Sequence, residues 1–311
     1  MSETLPMNEH LAYFNGRYLP LSQAAVPVYD TGFLLGTTVA EQLRTFGGRL
    51  FRLREHLDRL AKSLSIVGVE PRQSIAELQA IAEELASRNH ALLEADDDLG
   101  LTIFVTPGPT TAAAAQEDGP LVCMHTRALP FGQWADKYTT GEKLVTTSIQ
   151  QVSTHCWPAE LKCRSRMHYY LADRQAQAIQ RGARALMLDA DGFATEATSA
   201  NVLYYFRSQG LIVPPRHKLL PGISVAVLGE LAASLGLGIT ERDITPAEVA
   251  SADEILLTST SPCVLPVVEF NGRPVGRGTA ADAPIFRSLL AAWSKLVGLD
   301  ISAQARRFAK R

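Results

Sequence analysis

The sequence has no dominant charge: 30 basic residues against 32 acidic ones leave a formal net charge of −2. That balance supplies no electrostatic footprint for a nucleic acid or an anionic membrane surface. It also lacks a long apolar run. Stretches such as Gly222–Leu228 stop well short of the roughly 20 residues that a membrane span needs. The opening MSETLPMNEH has no basic flank leading into an apolar core, so no secretory signal is expected and the cytoplasm is the expected location. Cysteine is scarce: Cys123, Cys156, Cys163 and Cys263 are widely spaced and form no C-x-x-C pair, which reads as reduced, mostly buried thiols with no metal site.

What is present suits a large folded enzyme or binding protein. Hydrophobic residues make up 46% and charged residues 20% of 311 positions, enough apolar material for a full core and too much chain for one small module. Three hairpin turns are legible, at Asn15-Gly16, Gly47-Gly48 and Asn271-Gly272, each a pair tolerant of positive φ between β-favouring runs. Residues 26–46 read as strand, glycine turn, strand. Helical periodicity covers 53–67 and about 74–88, and GLTIFVT (100–106) reads as a strand before a mobile loop, TTAAAAQEDG. A small N-terminal α+β domain (1–130), an interdomain linker (131–141) and a larger C-terminal domain (142–311) are therefore expected. In the second domain a helix spans about 166–181, two strand-like runs flank Asp189–Gly192, Pro221-Gly222 introduces a helix, and Thr245–Glu248 is a capping box.

Polar residues that interrupt apolar runs at element ends are the candidates for chemistry. They are Arg59 beside the apolar stripe of its helix, Lys162 just before a helix, Glu196 in a strand of small and apolar residues, Gly222-Ile223-Ser224 opening a helix, and Thr258–Ser261 at a strand end. Taken singly, each has a plain structural reading: a solvated lysine, an exposed strand glutamate, an arginine pairing with Glu55 at i,i+4, a helix start, a turn. Taken together they supply an amine, a carboxylate, a guanidinium, helix N–H groups and hydroxyls. That set matches what pyridoxal 5′-phosphate requires.

Five fragments in order make the pattern specific: GFLLGTTVAEQLRTFGGRLFRLREHLDRL, then Lys162, DADGFATEATSAN, LLPGIS and ADEILLTSTSPCVLPV. The chain resembles the class IV aminotransferases, the fold-type IV pyridoxal-phosphate enzymes, over roughly residues 12–276. This family includes branched-chain and D-amino acid aminotransferases, (R)-amine transaminases and aminodeoxychorismate lyase. The resemblance implies a two-domain α+β fold of the D-amino acid aminotransferase kind with the cofactor in a cleft. It also implies a homodimer in which the partner's first domain helps cover the site.

By the same resemblance, Lys162, one of seven lysines, is the Schiff-base lysine and proton shuttle, and Glu196 faces the ring nitrogen. Arg59, the N–H groups of Ile223 and Ser224, and Thr260 hold the phosphate, while Ser199 and Asn201 support the strand of Glu196. The implied reaction is ping-pong transfer of an amino group between an apolar, branched-chain-like amino acid and a 2-oxo acid. A lyase, an (R)-amine transaminase and a non-catalytic cofactor-binding homologue are the alternatives. The substrate side departs from the family pattern, with Ser165 and Met167 after the lysine and Thr102, Ile103, Thr106 and Pro107 where an arginine is expected. Candidates for a substrate carboxylate are Arg44, Arg127, Arg164, Arg166 and the backbone around Thr260 and Ser261. Phe33, Leu35 and Ile103 suggest an apolar side-chain pocket.

Overall fold

The computed structural model describes residues 9–109 and 119–310. The expected opening segment and nearly all of the TTAAAAQEDG loop lie outside the described residues. The chain divides into two compact units. Unit 1 comprises residues 1–129 and the short stretch Leu161–Ser165; unit 2 comprises Pro130–Glu160 and Arg166–Arg311.

In unit 1, β1 (Leu11–Phe14), β2 (Arg17–Pro20), β3 (Val39–Phe46), β4 (Arg49–Leu50), β5 (Leu99–Thr106) and β6 (Leu121–Ala128) form an antiparallel sheet in the order β2-β1-β6-β5-β3-β4. Its two hairpins turn at Asn15-Gly16 and Gly47-Gly48, all four residues at positive φ. Helices α2 (Leu53–Val67) and α3 (Ile75–His90) cover one face. Leu57, Leu60 and Leu64 of α2 and Leu78 and Leu85 of α3 join Leu43, Leu101, Ile103 and Met124 in one core. Ile103 is thus a core residue, because the period of a strand turns it toward the helices. This removes it from the expected substrate pocket.

The segment before β3 is not a strand. Asp30 is buried, caps the short helix α1 (Thr31–Leu34) by accepting from Gly32 N at 2.7 Å, and accepts from Thr106 Oγ1 at 2.7 Å. A side-chain cap that starts a helical turn competes directly with extension.

In unit 2, a mixed sheet runs β12-β11-β10-β13-β14-β7-β8-β9, with β15 (Arg273–Pro274) pairing β14. Its strands are β7 (Glu142–Thr146), β8 (Ala183–Leu188), β9 (Ala194–Ala197), β10 (Asn201–Phe206), β11 (Gly210–Val213), β12 (Ile239–Glu241), β13 (Glu254–Ser259) and β14 (Cys263–Phe270). Helices α4 (Lys137–Thr140), α5 (Met167–Ile179), α6 (Ile223–Ser234), α7 (Pro246–Val249), α8 (Pro284–Val297) and α9 (Ile301–Arg307) complete the unit. The Thr245–Glu248 capping box is formed in both directions.

Residues 131–141 do not form a free linker. Phe131, Trp134 and Tyr138 are buried within unit 2, Phe131 stacks on Phe308, and Tyr138 Oη donates to Pro262 O at 2.8 Å. Three aromatic side chains in eight residues carry more apolar area than a solvated crossing can expose.

Among the described residues no helix is long and apolar enough to cross a membrane, and no group of three or more His, Cys, Asp or Glu residues could hold a metal ion.

Candidate active site

In unit 1 the lysine segment is stitched between a strand and a helix. Lys162 O accepts from Ala40 N at 3.0 Å, Arg164 N donates to Thr38 O at 2.8 Å, and Cys163 bridges to Val39. On the other side Lys162 N donates to the Oγ of fully buried Ser63 at 3.1 Å. Ser63 lies four residues beyond Arg59 on α2, so the lysine backbone sits one helical turn from the arginine, on the same helix face.

Glu55, the expected i,i+4 partner of Arg59, binds Arg52 at 2.9 Å. The Arg59 Nε and Nη2 donate to the two carboxylate oxygens of Glu41 at 2.7 and 2.8 Å, a bidentate fork. His56 Nδ1 approaches the same carboxylate at 2.7 Å. Burial acts to raise the pKa of Glu41, yet the hydrogen bonds and charges of Arg59 and His56 outweigh it and hold the carboxyl down at about 2. Burial also lowers the pKa of His56, overcoming Glu41, with the positive charges of Arg59 and Lys162 acting in the same direction. Glu41 and His56 therefore form a buried base beneath Arg59. Sequence reasoning passed over Glu41, although a lone carboxylate between Ala40 and Gln42 in a buried strand was a visible anomaly.

Unit 2 carries the second group. Glu196, 4% exposed, lies in β9. Gln151 Nε2 donates to its Oε1 at 2.8 Å, Tyr169 Oη donates to the same oxygen, and Asn201 Nδ2 donates to its Oε2 at 3.2 Å. A tight turn, Ala197–Ala200, with Ser199 at φ 61°, reverses the chain so that Asn201 returns beside Glu196. Asn201 also donates to Leu220 O at 3.1 Å, which joins the glutamate to the loop that opens α6. No side chain caps α6, whose first turn contains Ile223 and buried Ser224. At Gly222 a Cβ would stand 2.1 Å from Asn201 Oδ1, so a side chain there must displace Asn201 or the backbone. Thr260 and Ser261 occupy the turn between β13 and β14, half-buried, beside Thr258, whose Oγ1 donates to Cys263 O at 2.7 Å.

The substrate candidates separate. Arg44 is only 1% exposed, its guanidinium lies 4.0 Å over the Phe46 ring, Nε donates to Thr45 O at 3.1 Å, and Asp98 is 3.9 Å away. Its charge is answered inside unit 1. Arg164 in unit 1 and Arg166 at the start of α5 in unit 2 are less enclosed, and Phe33 is 69% exposed on α1.

Comparison with known proteins identifies the family. The family model for amino-transferase class IV matches residues 38–270. The D-alanine aminotransferase of Bacillus licheniformis is 30% identical over 281 residues, covering 89% of this chain and 93% of that protein. A putative branched-chain-amino-acid aminotransferase of Methanocaldococcus jannaschii is 28% identical, covering 85% and 88%. Among solved structures, a T.th. branched-chain amino acid aminotransferase with pyridoxamine 5′-phosphate superposes with a TM-score of 0.82 at 22% identity, covering 95% of this chain and 96% of that one. The Escherichia coli branched-chain enzyme gives 0.82 at 21% identity, with 95% and 96% covered. The chain belongs to the class IV aminotransferases, a family of pyridoxal 5′-phosphate enzymes with the fold-type IV architecture.

Proposed function

We propose that this chain transfers an amino group between an apolar amino acid and a 2-oxo acid by a two-stage, ping-pong reaction, with Lys162 as covalent anchor and proton carrier. The observation that carries this reading is the pinned Lys162 segment, one turn of α2 from an arginine already oriented by a buried carboxylate. The residues fit the cofactor. There is an amine, a guanidinium, a buried carboxylate held by neutral donors, and an uncapped helix start over a glycine seat. Beside that carboxylate, the buried Oε1 of Gln151 has no partner among the described residues.

When bound, pyridoxal phosphate supplies the electron sink that makes a proton on the substrate Cα removable. The chain's own residues do the rest. Arg59, through N–H groups other than the pair given to Glu41, the N–H groups of Ile223 and Ser224, and Thr260 would bind the phosphate dianion. Glu196 holds a proton on the ring nitrogen. The Lys162 amine would take the proton from the substrate Cα and deliver it to the C4′ carbon of the cofactor. With Arg44 enclosed in unit 1, the candidates for the substrate carboxylate are Arg127, Arg164, Arg166 and the Thr260–Ser261 backbone. The exposed run Val26, Val28, Tyr29, Phe33, Leu34 and Leu35 supports a homodimer that covers it.

Borohydride reduction of the holoenzyme and peptide mapping should place the pyridoxyl group on Lys162. A label on another lysine overturns the assignment. Amino donors tested with and without a 2-oxo acid acceptor separate transfer from elimination: turnover without acceptor marks a lyase, and none under either condition marks a binder.

A further inference from the structure

The Glu196 carboxylate is held by neutral groups from three separate stretches of unit 2. Gln151 is fixed by its own backbone, whose N–H donates to Leu188 O at 2.8 Å, and its side-chain amide donates to Oε1 at 2.8 Å. The opposite amide orientation would set oxygen against oxygen, so the donor assignment follows from the carboxylate. Tyr169 stands in the first turn of α5, its ring packed against a cluster of Ala172, Ala176, Ala183 and Ala185. Those small side chains leave room for the ring while its hydroxyl reaches Oε1. Helix α5 is locked in that position by Asp173, which accepts from Thr198 Oγ1 at 2.6 Å and Ala185 N at 3.2 Å. Asn201 completes the set on Oε2.

We propose that Tyr169 and Gln151 are positioning residues that fix the Glu196 carboxylate and keep it ionised against its burial, so that it can sustain a protonated ring nitrogen in the cofactor. This rests on the role given to Glu196 above. Hydrogen bonds donated to a carboxylate favour its charged form, while enclosure disfavours it. Burial and the neighbouring Glu196 charge push the Tyr169 phenol well above its ordinary value, so it remains a donor at any working pH. Two donors meeting on one oxygen also restrict rotation of the carboxylate.

The test is a mutant cycle read on the bound cofactor rather than on turnover. Apoprotein of Tyr169→Phe, Gln151→Met, Glu196→Gln and Tyr169→Phe/Glu196→Gln is titrated with pyridoxal 5′-phosphate, and the visible spectrum of each complex is recorded. Apoprotein melting checks that each variant folds. Glu196→Gln should shift the visible band. Tyr169→Phe should shift it in the same direction and weaken cofactor binding about fivefold, the scale of one lost hydrogen bond. Gln151→Met should do the same if Tyr169→Phe melts early. In the Glu196→Gln background the tyrosine change should add nothing. A shifted band in Glu196→Gln with wild-type behaviour in both Tyr169→Phe and Gln151→Met overturns this inference and leaves the role of Glu196 standing. A tyrosine effect that persists in the double variant also overturns it. A wild-type band in Glu196→Gln removes both.

Discussion

At the scale of single residues, the two carboxylates in strands have opposite assignments. Glu41 accepts a bidentate fork from the Arg59 guanidinium and meets the His56 ring, whereas Glu196 accepts from Gln151, Tyr169 and Asn201. Removing the charge of Glu196 should leave the cofactor bound and slow transamination by orders of magnitude, because the ring loses the anion that keeps its nitrogen protonated; a Glu196→Gln enzyme with unchanged kcat refutes the role. Arg59 is placed by Glu41 rather than by solvent. Arg59→Ala should weaken cofactor binding at least about tenfold, the equivalent of a charge-assisted fork. Glu41→Gln should be worse for the fold than for the ligand. It removes the carboxylate that accepts the Arg59 fork and meets the buried His56 ring, a loss of about 3 kcal/mol visible as a lowered melting temperature of the apoprotein. Equal melting of Glu41→Gln and wild type contradicts the buried base.

Among elements, the proposed chemistry rests on the start of α6 and on the strand-like lysine segment. The uncapped N-terminus of α6 follows Gly222, whose missing side chain leaves space for Asn201 Oδ1. Gly222→Ala should therefore displace either the helix start or Asn201, cost about 1 to 3 kcal/mol of stability, and lower cofactor affinity as well; a variant with wild-type melting and affinity shows that the loop relaxes freely. The Lys162 segment illustrates what sequence patterns reach and where they stop. Its lysine was legible from its place in an ordered set of fragments, but its shape was not. A five-residue stretch bridged to Val39 and bonded to Ser63 has no period of its own, and Ser63 lies 99 residues before Lys162 with Val39 earlier still. Residues 26–29 failed as a strand for a similar reason: the cap formed by Asp30 depends on Thr106, across the sheet.

For the whole molecule, the clearest consequence is acid sensitivity. His56 is enclosed and its folded pKa lies below the ordinary 6.5, so the unfolded chain takes up that proton first. Stability contributed by neutral His56 is present above pH 6.5 and is lost as pH falls below it. Glu41, ordinarily near 4.5 and held at about 2, adds a second loss as pH falls from the unfolded value toward the folded one. Urea denaturation of the apoprotein should show stability declining below pH 6.5 and steepening below about 4.5. A His56→Asn variant should have a shallower upper slope, the rest coming from His10, His125 and His168, whose pKa values burial also lowers. A slope unchanged in that variant contradicts the enclosed neutral imidazole.

The sequence by itself determined the local decisions: the Asn-Gly and Gly-Gly hairpins, the two helices of unit 1, the capping box at Thr245–Glu248 and the ordered fragments that mark the family. Each depends on residues within a few positions of one another, where backbone preference and side-chain spacing act alone. Only the tertiary structure decided what those residues face. It withdrew Ile103 and Arg44 into unit 1, drew 131–141 into unit 2, and set Glu41 beneath Arg59 and Tyr169 with Gln151 upon Glu196. The physical reason is that a buried charge must be met by whichever polar group the packing brings to it. That partner is chosen by the fold across tens of residues and leaves no periodic trace in the chain.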